Sequence, residues 1–249
     1  MTGKTIILLP TYNERDNVRR LIPEIFSVDP NLHVLVIDDN SPDGTAEETR
    51  TLMRTFANLQ LLLRPTKNGL GEAYKAGMLH VLADTNVERV LTMDADGSHS
   101  TEYLQDILRA GNTYELVIGS RYVPGGGIEN WEQWRYLLSQ WGNIYARTIT
   151  HLPVNDLTAG YMCFNARLLR NIDFSHLQAS GYAFLMELKF CAVYTLGCRF
   201  KEVPIIFKAR REGESKISHH IIREGLKTPW RLFFRRWTST LRRAISSHG

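Results

Sequence analysis

Two carboxylates one residue apart close a short apolar run: Val90, Leu91, Thr92 and Met93 lead into Asp94, Ala95, Asp96, Gly97, Ser98 and His99. A run of this kind reads as a buried strand, and the carboxyl ends of strands are where open α/β sheets bind ligands. Placed there, Asp94 and Asp96 repel each other unless a cation or a proton offsets the charge. A hard divalent ion suits them if the substrate carries phosphate, because Mg2+ or Mn2+ takes one or two carboxylates and fills its shell with phosphate oxygens and water. The same spacing also describes an Asx turn after a strand, so the remaining residues must decide.

Other residue types with chemical capacity recur at places of the same kind. Pro10, Thr11, Tyr12, Asn13 and Glu14 follow the first apolar run, and Asp38, Asp39, Asn40, Ser41, Pro42, Asp43 and Gly44 follow the second. Acids there can hydrogen-bond a base or ribose, although Asn13, Ser41 and Asp43 also fit helix-cap and turn chemistry. Gly119-Ser120-Arg121-Tyr122 precedes Pro124-Gly125-Gly126-Gly127 and a Trp-rich stretch with Trp131, Trp134, Arg135 and Trp141. This part reads as a mobile loop leading to a flexible lid beside the sheet edge. Further on, Arg210-Arg211-Glu212-Gly213-Glu214-Ser215-Lys216 sets cations beside glycine, which suits a diphosphate as well as a solvated turn.

These residues need a scaffold, and the periodicity supplies one. Strands are expected over 5–9, 34–37, 59–63, 89–93, 116–118 and 200–207, with helices over 15–27, 45–56, 71–82, 102–108 and 182–196. Alternation of this kind implies an α/β domain with a mostly parallel sheet and right-handed crossovers. Gly69-Leu70-Gly71 lacks the full Gly-x-Gly-x-x-Gly pattern after a first strand, which argues against a dinucleotide-binding dehydrogenase.

A chain of 249 residues can bury a large core, and its 43% hydrophobic and 22% charged content is that of a globular protein. The net charge of +4 conceals an asymmetry: residues 216–249 hold eight Lys or Arg against one acid, +7, which leaves 22 against 25, or −3, for residues 1–215. Residues 217–245 interleave Ile221, Ile222, Leu226, Trp230, Phe233, Phe234, Trp237 and Leu241 with those cations, and Pro229 is expected to break the helix. Such a segment reads as an in-plane membrane helix meeting acidic head groups, or as a helix packed on the domain with a solvated basic face. No nucleic-acid recognition module accompanies the charge, so nucleic acid is not an expected partner. The three cysteines, Cys163, Cys191 and Cys198, have no metal-ligand spacing and suggest a reducing compartment. The apolar run at 6–9 is too short for a signal peptide, and no apolar stretch approaches eighteen residues, so a cytosolic chain without a membrane span is expected.

Taken in order, Pro10-Thr11-Tyr12-Asn13-Glu14, Asp38-Asp39-Asn40-Ser41-Pro42-Asp43-Gly44-Thr45, Asp94-Ala95-Asp96, Gly119-Ser120-Arg121-Tyr122, Asp156-Leu157-Thr158 and Arg210-x-x-Gly213-x-Ser215-Lys216 resemble the dolichol-phosphate mannosyltransferase (polyprenol monophosphomannose synthase) family of inverting glycosyltransferases. The resemblance spans residues 5 to about 218. It implies a GT-A-like catalytic domain over 1–216 followed by a basic amphipathic helical segment over 217–249. It also implies mannose transfer from GDP-mannose to a polyisoprenyl (dolichyl or polyprenyl) monophosphate, at the cytoplasmic face of a membrane. Pro10, Tyr12, Glu14, Ile37 and Asp39, with Asp38 beside them, match donor contacts. Asp94 and Asp96 match the ligands of Mg2+ or Mn2+. Arg121, Arg210 and Lys216 match cations around the diphosphate and acceptor phosphate, and Arg135 and Ser139 match acceptor positions. Many relatives carry Gln where this chain has Ser98, which leaves contact with the metal through water, or none, at that position. The pair of C-terminal membrane spans of some relatives is absent, so the tail or a membrane-embedded partner subunit would meet the lipid.

The resemblance carries a mechanism in which Asp94, Asp96, Arg121 and Arg135 are the catalytic set and the acceptor phosphate displaces the nucleotide with inversion. A phosphate monoester is already anionic at neutral pH and needs less help from a base than a sugar hydroxyl does. Glu187 could serve as such a base, but a positioning role fits its segment better. Two rivals remain within reach of these motifs: glucosyl transfer from UDP-glucose to polyprenyl phosphate, and a nucleotide-sugar-binding or adaptor subunit without catalysis. A phosphatase of the haloacid-dehalogenase type would need a later Gly-Asp-x-x-x-Asp cluster, which the chain lacks.

Overall fold

The computed structural model describes residues 3–179, 181–208 and 219–246. The chain runs β1 (Lys4–Thr11), α1 (Arg15–Val28), β2 (His33–Asp38), α2 (Thr45–Leu52), β3 (Leu59–Leu63), α3 (Leu70–Leu82), β4 (Val87–Thr92), α4 (Leu104–Ala110), β5 (Leu116–Ser120) and β6 (Gly127–Glu129). It continues with α5 (Gln133–Thr150), β7 (Met162–Asn165), α6 (Ala166–Arg170), α7 (Gly181–Phe190), β8 (Phe200–Pro204), β9 (Ile206–Lys208) and α8 (His219–Ser246). Seven strands form one sheet in the order β3-β2-β1-β4-β7-β5-β8, all parallel except β7, which runs against β4 and β5. The connections reverse direction between β1 and β4, which opens a crevice at the carboxyl edge.

Both faces of the sheet are covered. In β1, Ile6 and Leu8 join the core under α3 and α7, whereas Ile7 and Leu9 join the core under α1 and α4. This two-sided burial is why β1 reads as a continuous apolar run rather than an alternating one. Helix α1 buries Val18, Leu21, Ile22, Ile25 and Phe26, the set that its helical spacing predicts.

The loops at the edge are fastened to each other. Backbone N–H groups of Asn13, Glu14 and Arg15 donate to Ser41 Oγ, Thr45 Oγ1 and Asp43 Oδ2, each at 3.0 Å, so the β1–α1 and β2–α2 loops hold one shape. At the far side of the sheet the expected strand over 200–207 divides. Ile205 N donates to Ser120 O, and the chain then leaves the large sheet so that β9 pairs with β6 in a two-stranded sheet.

Three expectations are corrected. The Trp-rich stretch read as a flexible lid is the 18-residue helix α5, whose buried residues are Asn143, Ala146 and Thr150 and whose large apolar residues face outward. Pro229 does not break the last helix, because α8 runs through it. Its packing against α5 and α7 offsets the loss of one backbone donor. The helix expected over 182–196 ends at Phe190 and passes into a π-turn over Cys191–Thr195.

Candidate active site

The acids of the central motif lie where β4 ends. Asp96 is buried, and Asp94 keeps 17% of its side chain exposed to the crevice. The loop turns through Gly97, whose φ of 79° favours a residue without Cβ. Ser98 N then donates to Asp96 Oδ1 at 3.0 Å, and Tyr74 of α3 donates its hydroxyl to Asp94 Oδ1 at 3.3 Å. Burial, and next the nearby Asp94 charge, hold the Tyr74 phenol well above its usual range, so it stays a donor.

His99 completes this turn as a neutral ring. Its Nδ1 accepts the Asp94 backbone N–H at 2.9 Å, and burial pushes the imidazole below its ordinary range. Nδ1 also lies 3.9 Å from Asp94 Oδ2, but an unprotonated nitrogen makes that proximity no ion pair. The ring stacks on Tyr161 at 4.9 Å and meets the edge of Phe207 from β9.

The donor set fits a hard cation that substrate oxygens complete. Two carboxylates stand together at the rim, and Ser98 Oγ is buried with no hydrogen-bond partner among the described residues. No group of three His, Cys, Asp or Glu able to enclose a metal occurs among the described residues. Such a site suits an ion that keeps water or phosphate in its shell rather than one caged by protein.

On the β1–β2 side of the crevice the expected donor residues divide by role. Asp39 pairs with Arg64 Nη1 at 2.8 Å, and burial raises its carboxyl despite that neighbour. Lys67 lies over the Tyr12 ring at 3.5 Å, and Glu14 accepts from Asn17 Nδ2 at 2.6 Å. Pro10 stands beside Ile37 in the β1–β2 register. Asp38 is fully buried and accepts from Thr11 Oγ1, Ser41 N and Ser41 Oγ, so its oxygens organise the loop. Ile37 packs against Gly77 of α3, where a Cβ would meet Ile37 Cδ1 at 2.3 Å, and its side chain therefore belongs to the core.

Beyond β5, Arg121 is 9% exposed and forms a fork with Asp156, Nε to Oδ2 and Nη2 to Oδ1, both at 2.7 Å. Nη2 also reaches Thr158 Oγ1 at 2.7 Å, while Nη1 makes no hydrogen bond among the described residues. Burial alone would raise the Asp156 carboxyl, but the Arg121 charge prevails and holds it below the usual carboxylate range. The guanidinium faces the Tyr122 and Phe207 rings. Tyr122 in turn donates to Ser139 Oγ on α5 at 2.8 Å, which joins the Arg121 loop to the helix. Arg135 lies one turn before Ser139; its Nε is 3.1 Å from Glu132 Oε2 without hydrogen-bond alignment.

Glu187 is not available as a base: Ala179 N and Arg231 Nη2 occupy its two oxygens at 2.8 and 2.6 Å, and it ties α7 to α8. Arg210 and Lys216 lie outside the described residues. Sequence reasoning missed Arg64, Lys67, Tyr74 and Lys189. A lone lysine amid the apolar run 183–190 was the available signal for Lys189, and the others sat in loops or helix faces with no motif around them.

Residues 6–174 match the family model described as glycosyl transferase family 2. The chain is 40% identical over 223 residues to an undecaprenyl-phosphate mannosyltransferase of Micrococcus luteus, covering 90% of this chain and 91% of that protein. It is 38% identical over 231 residues to a polyprenol monophosphomannose synthase of Mycolicibacterium smegmatis, covering 90% and 85%. In fold it is similar to glucosyl-3-phosphoglycerate synthase of Mycobacterium tuberculosis, solved with Mn2+, UDP and phosphoglyceric acid, at a TM-score of 0.63 and 18% identity, covering 91% of this chain and 78% of that one. The sheet and its flanking helices thus form a GT-A-like glycosyltransferase fold, and the chain belongs to glycosyltransferase family 2.

Proposed function

We propose that this protein transfers mannose from GDP-mannose to a polyisoprenyl monophosphate with inversion. The observation that carries the reading is similarity along nine-tenths of the chain to two proteins named for making mannosylated polyprenyl phosphates. The site geometry supports it. Tyr122 ties the Arg121 loop to Ser139 on α5, the helix that also carries Arg135, and Glu187, the carboxylate considered as a base, is spent on packing.

In this reading Pro10, Tyr12, Glu14 and Asp39 hold the nucleoside, with Asp38 shaping their loop and Ile37 supporting it from the core. Asp94 and Asp96 hold Mg2+ or Mn2+, with the buried Ser98 Oγ, unpartnered among the described residues, as a further candidate contact through water. When bound, the ion supplies a Lewis acid at the leaving diphosphate. Arg121 Nη1 reaches an anionic oxygen, and Arg210 and Lys216 are assigned to the diphosphate on sequence alone. Arg135 and Ser139 orient the acceptor phosphate. One of its oxygens bonds to the anomeric carbon as the bond from that carbon to the diphosphate breaks, and the electron pair leaves with GDP. The phosphate monoester arrives largely ionised at neutral pH, so no side chain has to remove a proton.

The same reading places the enzyme as a peripheral protein at the cytoplasmic face of a membrane, with or without a membrane-embedded partner subunit. No helix among the described residues is long and apolar enough to cross a bilayer. Instead, α5 exposes Trp134, Leu137, Leu138, Trp141 and Ile144, and α8 beside it exposes Leu226, Trp230 and Phe234. Trp230 Nε1 donates to Tyr145 Oη, and that hydroxyl donates to Leu226 O, so the two helices present one surface. The two helices also carry Arg135, Arg147, Arg223 and Arg231, and cations beside exposed aromatics suit an in-plane helix pair on acidic lipid. The segment over 217–249 is therefore proposed as part of the membrane face, although Thr228 and Leu232 are buried against the body.

Three outcomes follow. With Mn2+ present, GDP-mannose at a hundredfold excess over its Kd should stabilise the fold by on the order of 2.7 kcal/mol, a shift of several degrees in Tm. A larger shift with UDP-glucose would replace mannosyl by glucosyl transfer. Arg135→Lys keeps the charge but not the fork, and should raise the KM for polyprenyl phosphate about tenfold; unchanged turnover would remove Arg135 from acceptor binding. Trp134→Ser with Trp141→Ser should lower flotation with phosphatidylglycerol-containing vesicles, and equal flotation would refute the membrane face.

A further inference from the structure

Lys189 of α7 is fully buried, and its ammonium donates to two backbone carbonyls, Leu157 O at 3.1 Å and Ala159 O at 2.6 Å. These carbonyls flank Thr158 in the short strap between α5 and β7 that carries Asp156. The strap's backbone is held by side chains from several elements of the scaffold. Glu202 of β8 accepts from Asn155 N and Asp156 N. Asn143 of α5 accepts from Leu157 N at 2.8 Å and donates to Asn155 O. Thr92 of β4, two residues before Asp94, donates to Gly160 O at 2.6 Å. The strap is a non-repetitive segment in the interior whose backbone groups are satisfied by side chains, and Lys189 satisfies two of them.

We propose that Lys189 is a positioning residue for sugar transfer: its ammonium clamps the 157–159 carbonyls so that Asp156 and Thr158 hold the Arg121 guanidinium in place at the crevice. The proposal rests on the glycosyl-transfer reading of the site. It adds a residue that touches no substrate and acts through Asp156 and Arg121. A buried ammonium is costly unless its donors are satisfied, and here two carbonyl oxygens and the nearby Asp156 charge offset that cost.

The clamp is also sensitive to pH. Burial lowers Lys189 to about 7; Asp156 on the strap and Glu202 on β8 oppose that fall, and Arg121 at the end of β5 adds to it. Loss of the proton turns two charge-assisted hydrogen bonds into neutral ones, which are about half as strong. Transfer should therefore decline as the pH rises through the region of 7. Folding moves the other way. Between about 7 and the ordinary lysine range the unfolded chain binds the proton and the folded chain does not, so this group makes the fold more stable as pH rises. A falling kcat over a pH interval in which the fold is gaining stability is a signature that a purely structural lysine would not give.

The test compares wild type with Lys189→Met, which keeps the apolar stem and removes the ammonium. Transfer from GDP-mannose to polyprenyl phosphate and hydrogen exchange of the amides over 155–160 are followed on both proteins between pH 6 and 9. The variant should fold, lose about tenfold in kcat at pH 6.5, the fold-change of a lost hydrogen bond to a charged group, and lose the decline of kcat near pH 7. Its 155–160 amides should exchange faster than wild type at equal pH. A folded variant with wild-type kcat and an unchanged pH profile would overturn the proposal. If wild type itself transfers no mannose, the reading of the substrate fails instead. Exchange then decides for the clamp, and unaltered amides over 155–160 in Lys189→Met would overturn it. Should Lys189→Met not fold, Thr92→Val, which cuts the strap's tether at Gly160, must lower kcat while leaving the decline near pH 7 in place; loss of that decline in Thr92→Val would overturn the assignment to Lys189.

Discussion

Like charges held together at the end of a strand are the constraint around which this protein is built. Asp94 and Asp96 cannot move apart, because β4 and the Gly97 turn fix their backbone. Tyr74 and Ser98 N–H give the carboxylates hydrogen bonds without adding charge, and a neutral His99 holds the turn by accepting rather than donating. Proton uptake would relieve the repulsion and a divalent ion would use it. In the proposed reading, a nucleotide diphosphate in the crevice between β1 and β4 would share that ion through its oxygens.

The second charged element, the pair of Arg121 with Asp156, is handled in the opposite way. Here the opposite charges are buried together and every lone pair is engaged, which fixes one geometry rather than adding stability. The pair sits on a strap with no regular structure, so its precision has to be imported. Glu202, Asn143, Lys189 and Thr92 bring it from four elements of the scaffold. One side of the site thus holds like charges on a fixed backbone, and the other is a rigid clamp of opposite charges made by protein.

How much of this was legible in the sequence follows from which interactions are local. Helix α1 and strand β2 emerge from spacing because their apolar residues face the core that creates the pattern. Helix α5 escapes that logic: its apolar stripe of Trp134, Leu137, Leu138 and Trp141 points outward, and what it buries is Asn143, Ala146 and Thr150. The acids after β1, β2 and β4 announce themselves by clustering at strand ends. Whether each faces ligand or loop is decided by partners distant in the chain, as Thr11 decides it for Asp38 and Arg64 for Asp39. The antiparallel course of β7 and the split between β8 and β9 depend on pairing across the sheet and left no local trace.

The central claim is that the two acids at the β4 rim clamp a cation onto a sugar nucleotide. Crystals of the protein grown with GDP-mannose and Mn2+ test it most directly through the anomalous signal of manganese. The account predicts one strong peak within bonding distance of the Asp94 or Asp96 carboxylate and of the donor's diphosphate oxygens. A manganese peak elsewhere, with the donor bound and these carboxylates unligated, would contradict it.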